Sequence, residues 1–292
     1  MKHVNRLIMV LVYLFLYAPL IVMVVFSFSG GDHTSVFQIV EDRPFYYWYE
    51  QLFREGNPLL RCLWNSIQLG LISAVIATVL GTVAAVGVYR LKSRKLSSSI
   101  LMVNNIPMMN PDIVTGVSMM LLFMFVGVLV GVTGEKTNFW TLLIAHVSFS
   151  TPYVLLNVLP KLRQTDVHLV EAAQDLGCTP IQSFFKVELP CLLPGILSGA
   201  LMAFTLSLDD FIITQFTKGE GFYTLPTYIY SMTKKKVKPD MYALSTLIFV
   251  AILALLLLIN FISAKMDDKT NAAPKKIKRK KPAVSQKEVQ GQ

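Results

Sequence analysis

Glu171-Ala172-Ala173-Gln174-Asp175-Leu176-Gly177 is followed, after a gap of nine residues, by Val187-Glu188-Leu189-Pro190. Asp166 to Leu176 reads as a short helix. Asp166 is placed to cap its start, and Gly177 to end it in a left-handed conformation. Thr179-Pro180 then opens a second helix, at a position where proline's missing amide costs nothing. Ile181, Phe184, Phe185 and Val187 give that helix an apolar stripe. Pro190 and Pro194 are expected to break it. The stretch is therefore two short helices on a glycine hinge, too apolar to stand alone in water, and it needs a surface to dock on.

Outward from this loop the chain turns strongly apolar. Of its 292 residues 53% are hydrophobic and only 15% charged, against about 25% charged in a soluble domain. Disorder is excluded by the hydrophobicity, and a disulfide scaffold by three cysteines. The net charge of +9 suits a nucleic-acid binder, but apolar runs of this length do not. A membrane-spanning helix needs about 20 apolar residues. Six segments qualify: 7–28, 64–89, 99–130, 139–159, 192–216 and 241–262. The third is interrupted by Pro107, Pro111 and Asp112, and the fifth contains Asp209 and Asp210. Continuous runs of this kind argue against a β-barrel. The first is longer than a signal-peptide core of about 7–15 residues and is expected to be retained. The fold class is thus all-α, with six transmembrane helices.

Lys and Arg concentrate in cytoplasmic loops. With the N-terminus inside, segments 1–6, 90–98, 160–191 and 263–292 hold 18 basic residues and the outside loops 9. The final segment supplies nine of those 18, so charge alone leaves the orientation open. Cys62 then lies outside while Cys178 and Cys191 lie inside, so no disulfide joins it to them. Pro274 to Pro282 holds six basic residues in nine. Residues 264–292 are expected to be a disordered basic tail near anionic lipid headgroups.

The spacing E-A-A-x3-G-x9-[IV]-x-L-P, carried by Glu171, Ala172, Ala173, Gly177, Val187, Leu189 and Pro190, resembles the permease signature of bacterial ATP-binding-cassette (ABC) importers. The resemblance implies a type I (MetI-like) transmembrane domain, with a core at 61–263 and a coupling loop at 160–191. It implies an N-terminal helix at 1–28 that wraps a neighbouring subunit, and an extracytoplasmic segment at 29–60. It also implies both termini in the cytoplasm of a bacterial cell, a cytoplasmic ATPase dimer that receives the loop, and a second homologous permease. No G-x-x-x-x-G-K-[ST] phosphate loop occurs in the chain, so ATP and Mg are expected on the partner.

A second resemblance narrows the substrate. Leu206-Ser207-Leu208-Asp209-Asp210-Phe211, Leu225-Pro226-Thr227-Tyr228-Ile229-Tyr230-Ser231-Met232 and Asn110-Pro111-Asp112-Ile113-Val114 resemble segments of spermidine/putrescine permeases. This implies a polyamine cargo delivered by an extracytoplasmic binding protein. The residues themselves fit a cationic cargo. A carboxylate at mid-span costs at least about 2.5–3.5 kcal/mol and usually faces a cavity. Counted from the cytoplasmic ends of continuous helices, Asp112 lies about 20 Å deep and Asp209 about 26 Å deep. Asp209 and Asp210 point about 100° apart, so one is expected to line the path while the other bonds to a neighbour or to the outer interface. Tyr223, Tyr228 and Tyr230 offer aromatic faces to ammonium groups. For Asp112, helix initiation after Pro111 is an equal reading. His146 is expected to be a polar contact between helices, and no metal-ligand spacing surrounds it. The aromatic run 44–49 suits the outer interface. Open alternatives are a like-built importer for opines, aminophosphonates or ferric iron, a secondary carrier, and a membrane enzyme. The last lacks a clustered catalytic set, and the carrier lacks visible internal repeats.

Overall fold

The computed structural model describes residues 2–31, 37, 40, 43–54, 56–129, 139–234, 240–250 and 253–254. The chain divides into two compact units, Met1–Leu244 and Ser245–Gln292. The architecture that follows belongs to the first. In the second, the described residues are the far end of the apolar helix Asp240–Val250 and residues 253–254. Most of the expected sixth span beyond that helix lies outside the described residues, as do the basic tail, the loop at 130–138 and residues 235–239.

The described elements are helical: α1 (Lys2–Phe26), α2 (Tyr47–Leu52), α3 (Pro58–Arg90), α4 (Arg94–Met109), α5 (Asp112–Leu129), α6 (Phe139–Gln164), α7 (Val167–Asp175), α8 (Pro180–Ser183), a π-turn (Phe184–Glu188), α9 (Leu189–Asp209), α10 (Ile212–Thr217) and α11 (Leu225–Thr233). Among the described residues, five helical stretches are long and apolar enough to cross a membrane, and Asp240–Val250 is a shorter apolar helix. Each of these six overlaps one of the six apolar segments of the sequence.

Helices α3, α6 and α9 pack together as the core, and small residues let them do so. On α9 the buried positions are Leu192, Gly195, Gly199, Ala203 and Ser207. On α3 they include Ser66, Gly70, Ser73, Ala77, Gly81 and Ala85. Both sets recur every three or four residues, the period of one helix face. In lipid there is little hydrophobic drive between helices, so close van der Waals contact holds them, and small residues permit it. A Cβ built on Gly81 would lie 2.6 Å from the Cβ of Val154, and one on Gly199 would lie 3.1 Å from Val154 Cγ1. Val154 of α6 thus sits between the two partner helices.

Two expectations change. The expected third span is two helices, because α4 ends at Asn110 and α5 restarts after Pro111. Pro111 disfavours helical geometry at the residue before it, and Asn110 is extended, with φ −75° and ψ 142°. The depth count for Asp112 assumed one continuous helix and does not hold. Conversely, Pro190 and Pro194 do not break the chain before the fifth span. Pro180 to Asp209 is one continuous helical run. A proline interrupts the ladder only at the amide it lacks and the carbonyl it crowds. Here the π-turn ends at Glu188, two residues before Pro190, and the Leu189 amide donates to the Phe184 carbonyl five residues back. The wider turn absorbs the interruption that was expected to end the helix.

Helix α1 is the opposite case. Every residue from Leu7 to Tyr17 is more than half exposed. Beyond it, the aromatic segment folds onto the end of the same helix. Trp48 Nε1 donates to the Ser29 carbonyl at 2.7 Å, Tyr49 Oη lies 2.8 Å from Ser27 Oγ, and the Arg43 guanidinium lies over Tyr47.

Candidate functional site

Residues singled out in the sequence fall at the two ends of α9. At its start lies the α7–α8 loop. Asp166 Oδ1 accepts from the His168 amide at 3.0 Å and caps α7. Gly177 closes α7 with φ +90°, a conformation that costs a side-chain-bearing residue about 1–2 kcal/mol. The Gly177 amide reaches Gln174 O and the Cys178 amide reaches Ala173 O, the paired bonds of a Schellman stop. Thr179 and Gln182 form a reciprocal capping box at the start of α8.

Glu171, Ala172 and Gly177 lie on the open surface of this loop, whereas Ala173 is buried. Leu176 is 87% exposed, an apolar tip without cover from the chain itself. His168 Nδ1 lies 3.0 Å from Glu171 Oε2, and this hydrogen bond, aided by the nearby charge of Asp166, raises the His168 pKa from its usual 6.5. Leu189 and Pro190 are not on the loop surface proper. They form the first turn of α9, directly after the π-turn.

At the far end of α9 the helix stops at Asp209, and α10 starts after a two-residue break. Asp210 is extended, with ψ 122°, and its carboxylate caps α10. Oδ2 accepts from the Thr214 amide at 2.6 Å and from Thr214 Oγ1 at 2.7 Å, while Oδ1 accepts from the Ile213 amide at 3.2 Å. His146 of α6 is fully buried between α9 and α10, with Nδ1 2.7 Å from Ser207 Oγ and Nε2 2.9 Å from Thr214 Oγ1. Ser73 of α3 donates to Ser207 at 3.0 Å. With the imidazole proton on Nε2 every donor meets an acceptor in one direction. Ser73 gives to Ser207, Ser207 to His146, His146 to Thr214, and Thr214 to the Asp210 carboxylate. One polar chain thus joins α3, α6, α9 and α10. Asp209, one residue earlier, lies exposed.

Asp112 begins α5 on the surface, in a first helical turn where a negative charge is favoured. The Tyr230 ring packs against Phe211 at 4.4 Å between centroids. The Tyr223 face holds Lys218 Nζ at 3.8 Å, and the Tyr230 face holds Lys234 Nζ at 4.7 Å. Asn65 Nδ2 donates to the Tyr223 carbonyl, and Ser66 Oγ accepts from the Leu225 amide, so the start of α3 pins the α10–α11 loop.

Residues 77–270 match the model of the family described as "Binding-protein-dependent transport system inner membrane component". The chain belongs to this family. Among its relatives is the putrescine transport system permease protein PotI of Escherichia coli (strain K12). It is 36% identical over 84% of this chain and 85% of the relative. The spermidine/putrescine transport system permease protein PotC of Haemophilus influenzae is also 36% identical, over 88% of this chain and 95% of the relative. A bacterial ABC transporter for the import of alginate shares the fold, with TM-score 0.69 at 18% identity over 90% of this chain and 95% of its own. The MetNI methionine ABC transporter does so with TM-score 0.54, at 23% identity over 71% of this chain and 94% of its own. The permease is therefore a multi-pass membrane subunit of an ABC importer, of the type I fold, and not an enzyme.

Within this permease, sequence reasoning named Asp210 and His146 but not what joins them. Ser207 lay inside the quoted Leu206–Phe211 segment but with no role attached, and Thr214 and Ser73 carried no signal of their own. The periodic small residues of α9, which end at Ser207, are the pattern that points to the junction.

Proposed function

We propose that this permease is one half of the translocation path of a polyamine importer. Its partners are a second homologous permease, a cytoplasmic ATPase dimer and an extracytoplasmic polyamine-binding protein. The membrane is a bacterial inner membrane, with lipids around the spans, both termini in the cytoplasm and 264–292 as a basic tail. The α7–α8 loop faces the ATPase through Glu171, Ala172, Leu176 and Gly177. Ala173 backs that surface from inside, and Leu189-Pro190 joins it to α9.

One observation carries the substrate reading. Of the two acids at the α9 break, Asp210 is consumed by a helix cap and a hydrogen-bond chain, while Asp209 is left exposed. Asp209 is then the carboxylate for a substrate ammonium, with Tyr230 and Tyr223, which follow it in sequence, as aromatic faces and Asp112 as a further acid along the path. Both rings already carry lysine ammoniums, the chemistry a polyamine presents. The names of the relatives agree with this reading.

The test is uptake of labelled spermidine and putrescine by the complete transporter carrying Asp209→Asn. Lower uptake with normal assembly is expected. Unchanged uptake refutes the assignment of Asp209. Competition by an opine, an aminophosphonate or ferric iron, with no effect of polyamine, moves the cargo to that class.

A further inference from the structure

Arg90 is the last residue of α3, and it touches both ends of the π-turn. Its Nη2 lies 2.7 Å from Glu188 Oε2 at the end of the turn, and its guanidinium lies 5.6 Å from the centre of the Phe184 ring at the beginning. The Glu188 side chain is only 7% exposed, so its charge is held almost out of water and depends on this partner. Space flanks the joint on both sides. A cavity of about 180 Å³ is lined by Tyr89, Leu162, Thr165 and Gln174, and a groove of about 330 Å³ by Val83, Val86, Ile181 and Phe185. Arg90 lines both.

A π-turn holds one residue more than the α-helical turn it replaces, and such turns recur at functional sites. Conversion to α geometry shifts the preceding helix by one residue, about 100° of rotation and 1.5 Å of rise. A joint of this kind, with room on both sides, absorbs a push from the α7–α8 loop unless something fixes it.

We propose that Arg90 is a positioning residue for transport: by gripping Phe184 and Glu188 together it locks the π-turn, so that movement of α8 becomes movement of α9. The span that ends at Asp209 then moves as one piece with the loop. This rests on the chain being an ABC permease and is independent of which solute it carries.

The test is pulsed electron paramagnetic resonance on the complete transporter, with Cys62, Cys178 and Cys191 replaced by alanine. Spin labels go at Ile181 and Leu197, which are exposed and flank the turn about 24 Å apart along the helix. The wild-type distance distribution is expected to be narrow and the same without nucleotide and with ATP and vanadate. Arg90→Ala is expected to lose that single narrow distribution while ATP hydrolysis continues. Arg90→Lys, which keeps the charge but not the plate over Phe184, falls between them. A narrow distribution in Arg90→Ala overturns the proposal. So does a variant whose only defect is lower yield, since that marks a structural role alone. If Arg90→Ala does not assemble, Glu188→Gln keeps the shape, removes the charge and is read the same way.

Discussion

At the scale of single residues, neighbouring aspartates separate into different roles because a helix ends between them. Asp210 satisfies two amides and a hydroxyl, and removing an acceptor from buried donors costs about 1–3 kcal/mol. Asp210→Asn places an amide N–H₂ where some of those donors point. It is expected to lower the thermal stability of the purified complex, whereas Asp209→Asn leaves the melting temperature unchanged. His146→Ala removes the shared partner of Ser207 and Thr214, and a loss of stability of the same order is expected in the same melting experiment. His168 supplies a pH test. Its pKa is raised by the hydrogen bond to Glu171. A raised value means that the pairing favours folded α7 below the ordinary histidine range and is lost as pH rises through the raised value. Glu171→Gln is therefore expected to move the His168 titration, followed by NMR of labelled histidine, back toward 6.5. The presence of the acids was legible in the sequence, since carboxylates in apolar runs stand out. Which acid turned inward was not. That depended on where α9 stopped, and on the two hydroxyls and one imidazole brought to the stop by other helices.

At the scale of elements, α3, α6 and α9 are specified by residue size more than by hydrophobic pattern. In a chain this apolar all faces of a span look alike, and only the small residues mark the face that packs. Gly81→Ala pushes a methyl to 2.6 Å from Val154 Cβ, and overpacking of this kind costs about 1–3 kcal/mol. A Cβ on Gly87 meets nothing within 4 Å, so Gly87→Ala in the same helix is expected to be neutral or stabilising by up to about 1 kcal/mol. Thermal unfolding of the two variants side by side checks the contrast. The capped loop helices were legible as well. Asp166, Gly177 and Thr179-Pro180 act through backbone geometry within a few residues, which sequence records directly. The prolines misled in both directions. Pro111 divides what looked like one span, while Pro190 sits in an unbroken run. A proline's effect depends on whether the turn before it has widened, and nothing in the residue types around 184–188 announces a π-turn.

At the scale of the whole molecule, the surface left uncovered defines what the subunit needs. The Leu7–Tyr17 stretch of α1 is exposed on every side, and the α7–α8 loop ends in an apolar tip at Leu176. Because Leu176 has so little contact with its own chain, Leu176→Ser is expected to change the subunit's stability by less than about 0.5 kcal/mol. It is expected to reduce the amount of ATPase subunit recovered with the permease. Full recovery would place the ATPase contact elsewhere.

The sequence by itself determined the class of the molecule: six apolar segments, a hinge loop with its caps, a stretch rich in Lys and Arg after the last of them, and acids within apolar runs. These follow from composition and from interactions between near neighbours along the chain. The tertiary structure alone decided how they are used. It set Arg90 of one span against both ends of a turn in another, and it drew Ser73, His146, Ser207 and Thr214 from four helices into one hydrogen-bond chain. Each of those pairings joins residues tens of positions apart. Their partners are chosen by which helix faces are small enough to meet, and that choice exists only once the helices are packed.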